Sequence, residues 1–152
     1  MKLGHALTGL GQLDEAAHAY QESVTLRRAM GWHNVAMEPL AALAHVALAQ
    51  GYYEQAQMHV EEILSHLETA TPSAGSGHGL DGTINPFQVY LTCYRVLKAN
   101  QDPRAQEILA TAYGLLQERA EKITDEGMRR SFLENVAAHR EIAGEFSRAT
   151  TT

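Results

Sequence analysis

At 152 residues, with 45% apolar and 20% charged residues and a formal net charge of −6, the chain has the length of one domain and a globular composition. The acidic balance argues against nucleic acid as a partner, because phosphate binding rewards a cationic face and the only paired basic residues, Arg27-Arg28 and Arg129-Arg130, have acidic neighbours. A single cysteine, Cys93, excludes an intrachain disulfide, and neither a membrane-length apolar run nor a signal-peptide pattern occurs, so the cytoplasm is the expected compartment.

Residues 1–10 and about 13–30 are predicted to form a first helix pair, turning at Gly11 and ending on Gly31 as C-cap. The abrupt start inside a helical pattern suggests a piece of a longer protein. Trp32-His33-Asn34 makes the connection. The next helix, to about Gln50, tolerates Pro39 only if its first turn lies near Val35 to Glu38. Around Gly51 the pattern is clearest. Leu43, Ala44, Ala47 and Leu48 before it, and Ala56, Val60, Ile63 and Leu67 after it, give two helices one apolar stripe each, and neither helix could bury its stripe alone. Tyr52 to Glu68 is the second of these, with Glu61, Glu62 and His66 on its polar side.

Thr71 to Asn85, with four glycines, two serines and a proline, breaks all periodicity and reads as a flexible loop. Asn85-Pro86 and Asp102-Pro103 each supply a cap and a first helical residue, the second for a helix running to about Lys122. Thr124-Asp125-Glu126 caps a further helix. Phe132, Leu133, Val136, Ile142 and Phe146 then give the tail an apolar face suited to a lid over the preceding pair.

The helix pairs repeat. A shift of forty residues lays Leu3-Gly4-His5, Gly11, Ala16 and Glu22 over Leu43-Ala44-His45, Gly51, Ala56 and Glu62. A third copy runs from Tyr90 to Leu115, where Cys93 takes the small residue's place, Asn100 stands for the turn glycine, and Ala105 and Leu109 follow. The motif L-G/A-x2-A/L-x3-G-x4-A-x3-Y/V resembles the tetratricopeptide repeat, over roughly residues 1–123. The longer spacing, and the closing stretch Ser131 to Ile142, are similar to the C-terminal arrays of bacterial signal-transduction ATPases and transcriptional activators.

Candidate chemistry is sparse. The glycines from Gly75 to Gly82 lack the GK[ST] ending and preceding strand of a phosphate loop. His59, Glu62 and His66 share a helix face but not the HExxH spacing, and read as a solvated face with Glu62 and His66 as an i,i+4 pair. Cys93 reads as a packed, protonated thiol. The resemblance implies a different use for His5 and His45, which share one repeat position. In the tetratricopeptide family that position and its neighbours one turn away line a concave groove that takes partner peptides. By this carry-over the groove is lined by His5, Glu38, Ala41, His45, Tyr90, Tyr94 and Lys98, a set rich in rings that stack, donate and accept. The same side chains would equally serve to pack against a neighbouring repeat or the tail helix. The family's carboxylate clamp is absent, Lys98 alone being insufficient.

The expected fold is therefore all-α, a right-handed superhelix of three tetratricopeptide-like hairpins (about 1–31, 35–69 and 86–123) closed by capping helices over about 125–148. The expected function is a protein-interaction scaffold without catalysis, cofactor or metal, serving as the regulatory or sensor arm of a larger signalling protein. Its partner would be a protein, a peptide or another segment of its parent chain, and neither nucleic acid nor a membrane. An effector-binding module enclosing a small molecule, and a self-associating module that forms a homodimer, are the alternatives.

Overall fold

The computed structural model describes residues 12–69 and 86–151. Seven helices make up the described residues, with no strand among them: α1 (Leu13–Ala29), α2 (Met37–Ala49), α3 (Tyr53–Thr69), α4 (Pro86–Ala99), α5 (Arg104–Glu121), α6 (Glu126–Glu134) and α7 (Ala137–Thr151). The first predicted helix, residues 1–10, and the glycine-rich loop 71–85 lie outside the described residues.

Three helices end in one way. Gly31 (φ 77°), Gly51 (φ 82°) and Gln101 (φ 57°) sit in the left-handed region. The amide of each donates three residues back, to Arg28, Leu48 and Lys98, and the next amide donates five back, to Arg27, Ala47 and Leu97, at 2.8–3.1 Å. This pairing satisfies carbonyls that the helix end would otherwise leave bare. In the third turn the structure differs from the expectation, because Gln101 and not Asn100 takes the left-handed position. Asn100 instead spends its side-chain amide on the carbonyls of Val96 (3.0 Å) and Tyr53 (3.3 Å).

The helix starts follow from local chemistry. Pro39 is the third residue of α2, where its missing N–H is one the helix would not have used. The turn before it is tied by Ala36 N–H to the Trp32 carbonyl (3.0 Å) and Met37 N–H to the Asn34 carbonyl (3.1 Å). Helix α5 starts at Arg104, one residue beyond Pro103, yet the Asp102 carboxylate still accepts the Arg104 N–H at 2.9 Å. Asp125, in extended conformation, caps α6 by accepting the Met128 N–H at 2.9 Å. The tail is two helices, broken at Asn135 and Val136.

Small side chains sit where helices cross. Ala44 of α2 and Cys93 of α4, and Ala16 and Ala56 of the predicted second helices α1 and α3, are fully buried, and Ala105 of α5 is 4% exposed. Four residues after each second-helix alanine comes a larger buried side chain, Tyr20, Val60 or Leu109. Each such burial contributes about 1.5–3 kcal/mol. Packing is serial: α1 lies on α2, α2 on α3 and α4, α3 on α4, and α4 on α5. Helix α7 then packs on both α4 and α5, the same relation that α4 has to α2 and α3.

Candidate functional site

The residues expected to line a partner groove separate into three environments. His5 lies outside the described residues. Ala41 and Tyr90 are 3% and 5% exposed, so the core claims them and a partner would find little of either. Helix spacing puts Ala41 on the face of exposed His45 and Tyr90 on the face of Tyr94, whose ring is equally buried, so burial and not periodicity separates them. Glu38, in the first turn of α2, is half-buried.

Tyr94 and Lys98 bring polar groups together at Glu145, while His45 lies on α2 within reach of the Arg95 charge. His45 is exposed on α2, with its imidazole held below the ordinary range first by desolvation and then by the Arg95 charge on α4. The Tyr94 ring is buried, and its hydroxyl donates to Glu145 of α7 at 3.0 Å. Burial, followed by that carboxylate, raises the Tyr94 phenol. Lys98 sets its ammonium 5.6 Å from the centre of the Tyr94 ring and 3.7 Å from Glu145.

These contacts define a seam between α4 and α7, the packing against the tail helix that the sequence left open as the alternative for Tyr94 and Lys98. Arg95 pairs with Glu141, and Glu145 gathers Tyr94, Lys98 and its own helix's Arg148. Arg148 above all, then Tyr94 and Lys98, keep the Glu145 carboxyl below the usual carboxylate range. Half-exposed pairs of this kind contribute about 0–1 kcal/mol each. Beneath the seam lies an apolar layer. Phe146 stacks on Tyr113 of α5 with centroids 4.0 Å apart and planes 6° from parallel. His139 meets Phe87 edge-on at 4.8 Å and gives its Nδ1–H to the Phe132 carbonyl at 2.7 Å, the assignment that a carbonyl acceptor requires. Arg119 lies over the Phe87 ring at 5.2 Å. One signal of the seam was present in the sequence: Glu141 and Glu145, one turn apart, repel unless a cationic surface faces them.

The remaining candidates resolve as follows. The Cys93 thiol is fully buried, which pushes it up to about 12 and keeps it protonated. Glu62 reaches Arg28 of α1 at 2.7 Å and His66 bonds the Asn34 side chain at 2.8 Å, so both tie α3 to α1 and the connection that follows it. The His59 ring nitrogens are buried without a hydrogen-bond partner, and burial lowers the imidazole, leaving it neutral. Among the described residues no cluster of three or more His, Cys, Asp or Glu side chains has the geometry to hold a metal ion. No described helix is long and apolar enough to cross a membrane. A bidentate pair from Arg104 to Glu61, shared with Asp102 and Gln57, fastens the start of α5 to α3 and holds the Asp102 carboxyl well below its ordinary range.

No protein-family model matches the chain, and neither a curated protein nor a solved structure matches it significantly.

Proposed function

We propose that the protein is an interaction scaffold of tetratricopeptide-like hairpins wound as a right-handed superhelix, and that it binds a segment of another protein. The support is its serial packing, in which each helix rests on the one or two before it, so the chain builds an extended surface. The first helices of the second and third hairpins, α2 and α4, lie side by side, with exposed His45 on one and half-buried Arg95 and exposed Lys98 on the other as a polar row, the two cations also pairing with α7. Rings and cations on a rigid pair of helices suit a peptide carrying carboxylates or carbonyls. A regulatory or sensor role within a larger signalling protein follows from the sequence resemblance alone.

The immobilised chain is exposed to a lysate of the source cell, in parallel with His45→Ala and Lys98→Glu variants. The His45→Ala variant removes an exposed side chain and keeps the wild-type melting temperature, whereas Lys98→Glu sets a like charge beside Glu145, so its effect on α7 is read separately by hydrogen exchange. A protein retained by the wild type and lost from both variants is expected. An identical set of retained proteins on all three would overturn the proposal.

A further inference from the structure

We propose that the surface of α4 and α5 beneath α7 is a docking site for an acidic amphipathic helix of a partner protein, with α7 as its resident occupant. The inference rests on the scaffold reading and deepens it, because Arg95 and Lys98 of the polar row also form the rim of this site.

Two properties of α7 carry the argument. The first is fit. His139, Ile142 and Phe146 fall at i, i+3 and i+7, the anchor spacing of a helix laid in a groove, and they meet Phe87 and Tyr113 below. Glu141 and Glu145 fall one turn apart on the flank and meet Arg95, Lys98 and the Tyr94 hydroxyl. The groove floor is thus aromatic and its rim cationic, which selects a helix with both apolar anchors and paired carboxylates.

The second property is weak retention. Nine residues of α4 are buried, whereas α6 buries none and, among the described residues of α7, only Ala138, His139 and Ile142 are buried. The rim pairs are open to water, with Lys98 61% and Glu141 43% exposed, and solvent weakens them. A segment held this loosely opens locally while the body stays folded. Opening bares Phe87, Tyr94 and Tyr113 together, an apolar patch that demands a cover. A second copy's α7 has no advantage over the tethered one, which acts at an effective concentration of order millimolar. A partner helix gains one by placing an apolar side chain where α7 presents the His139 ring.

The test uses the full chain and a fluorescently labelled peptide of residues 136–150, followed by anisotropy. The Glu141→Gln/Glu145→Gln chain, its lid loosened, is expected to bind the peptide at least about tenfold more tightly than the wild-type chain, because less of the site is occupied. Adding Arg95→Glu/Lys98→Glu to that chain removes binding, as does replacing both glutamates of the peptide by lysine. A peptide carrying His139→Leu binds more tightly than its parent. Faster hydrogen exchange over 137–149 verifies the loosening. The proposal is overturned if the loosened chain binds no peptide, or binds glutamate and lysine peptides equally. Concentration-dependent dimerisation of the wild-type chain in light scattering would give the site to a second copy and likewise overturn it. Peptide exchange without lysate capture would sink the scaffold reading alone, and capture without peptide exchange would sink the docking site alone.

Discussion

Helices α4 and α7 occupy equivalent places, each lying across the two helices of the pair before it, yet they are held by different chemistry. Helix α4 is enclosed on nearly every side, from Phe87 to Leu97. Helix α7 has one narrow apolar stripe and a flank of charge pairs open to water. The same geometry therefore yields a permanent element in one place and a removable one in the other. What differs is how much apolar surface leaves water, since the exposed pairs are worth little.

The sharpest way to break this comparison is to truncate one anchor in each helix. Leu97→Ala is expected to destabilise the whole chain by about 2–5 kcal/mol, read from the denaturation midpoint. Ile142→Ala removes a side chain just as buried, but it should free the tail and shift the midpoint of the body by less than half as much. Equal shifts would mean that α7 is part of the core.

The turns sharpen the comparison within the body. At Gly51 no atom lies within 4 Å of where a Cβ would stand, so Gly51→Ala meets backbone strain alone, about 1–2 kcal/mol. Gln101 already bears that strain, and Gln101→Gly is expected to stabilise the chain by about 0.5–1 kcal/mol in urea titration. A loss of stability there would show that the Gln101 side chain compensates for its backbone.

The smallest effect concerns pH. Burial holds the His139 imidazole below its ordinary pKa of about 6.5; the Phe132 carbonyl partly opposes this and the Arg119 charge adds to it. The released state therefore binds a proton that the docked state resists. The stability of the tail is fully present above about pH 6.5 and is lost as pH falls from there towards the docked-state value. His45 and His59 follow the same sign in the body, while the depressed carboxylates of Glu61 and Glu145 act only below about pH 4.5. His139→Gln should shrink the stability difference between pH 7.5 and pH 5.5. An undiminished difference would place the titrating group elsewhere.

Much of this architecture was legible in the sequence. Ala16, Ala44 and Ala56, the turn glycines Gly31 and Gly51, the stripes around Gly51 and the cap at Asp125 express local rules, and the structure keeps them. Gln101 escaped notice because glutamine has no preference for the left-handed region; tertiary context holds it there. The break at Asn135 and Val136 was equally hidden, because neither proline nor glycine marks it. Ala41 and Tyr90 were read one turn too generously, since a repeat position fixes a helix face and not its depth. Packing of Tyr94 and Lys98 on the tail helix was one of two open readings, but the Arg95–Glu141 pair escaped because its members stand 46 residues apart, beyond any periodicity. Only the repulsive pair Glu141 and Glu145 hinted that a cationic surface must meet the tail.

Hydrogen exchange on the full chain, resolved by segment at neutral pH, compares the two regions without any substitution. Amides of 126–149 are expected to exchange at least about a hundredfold faster than those of 87–97, because the tail opens while the body stays closed. Equal protection in the two segments would make α7 as permanent as α4 and contradict the account.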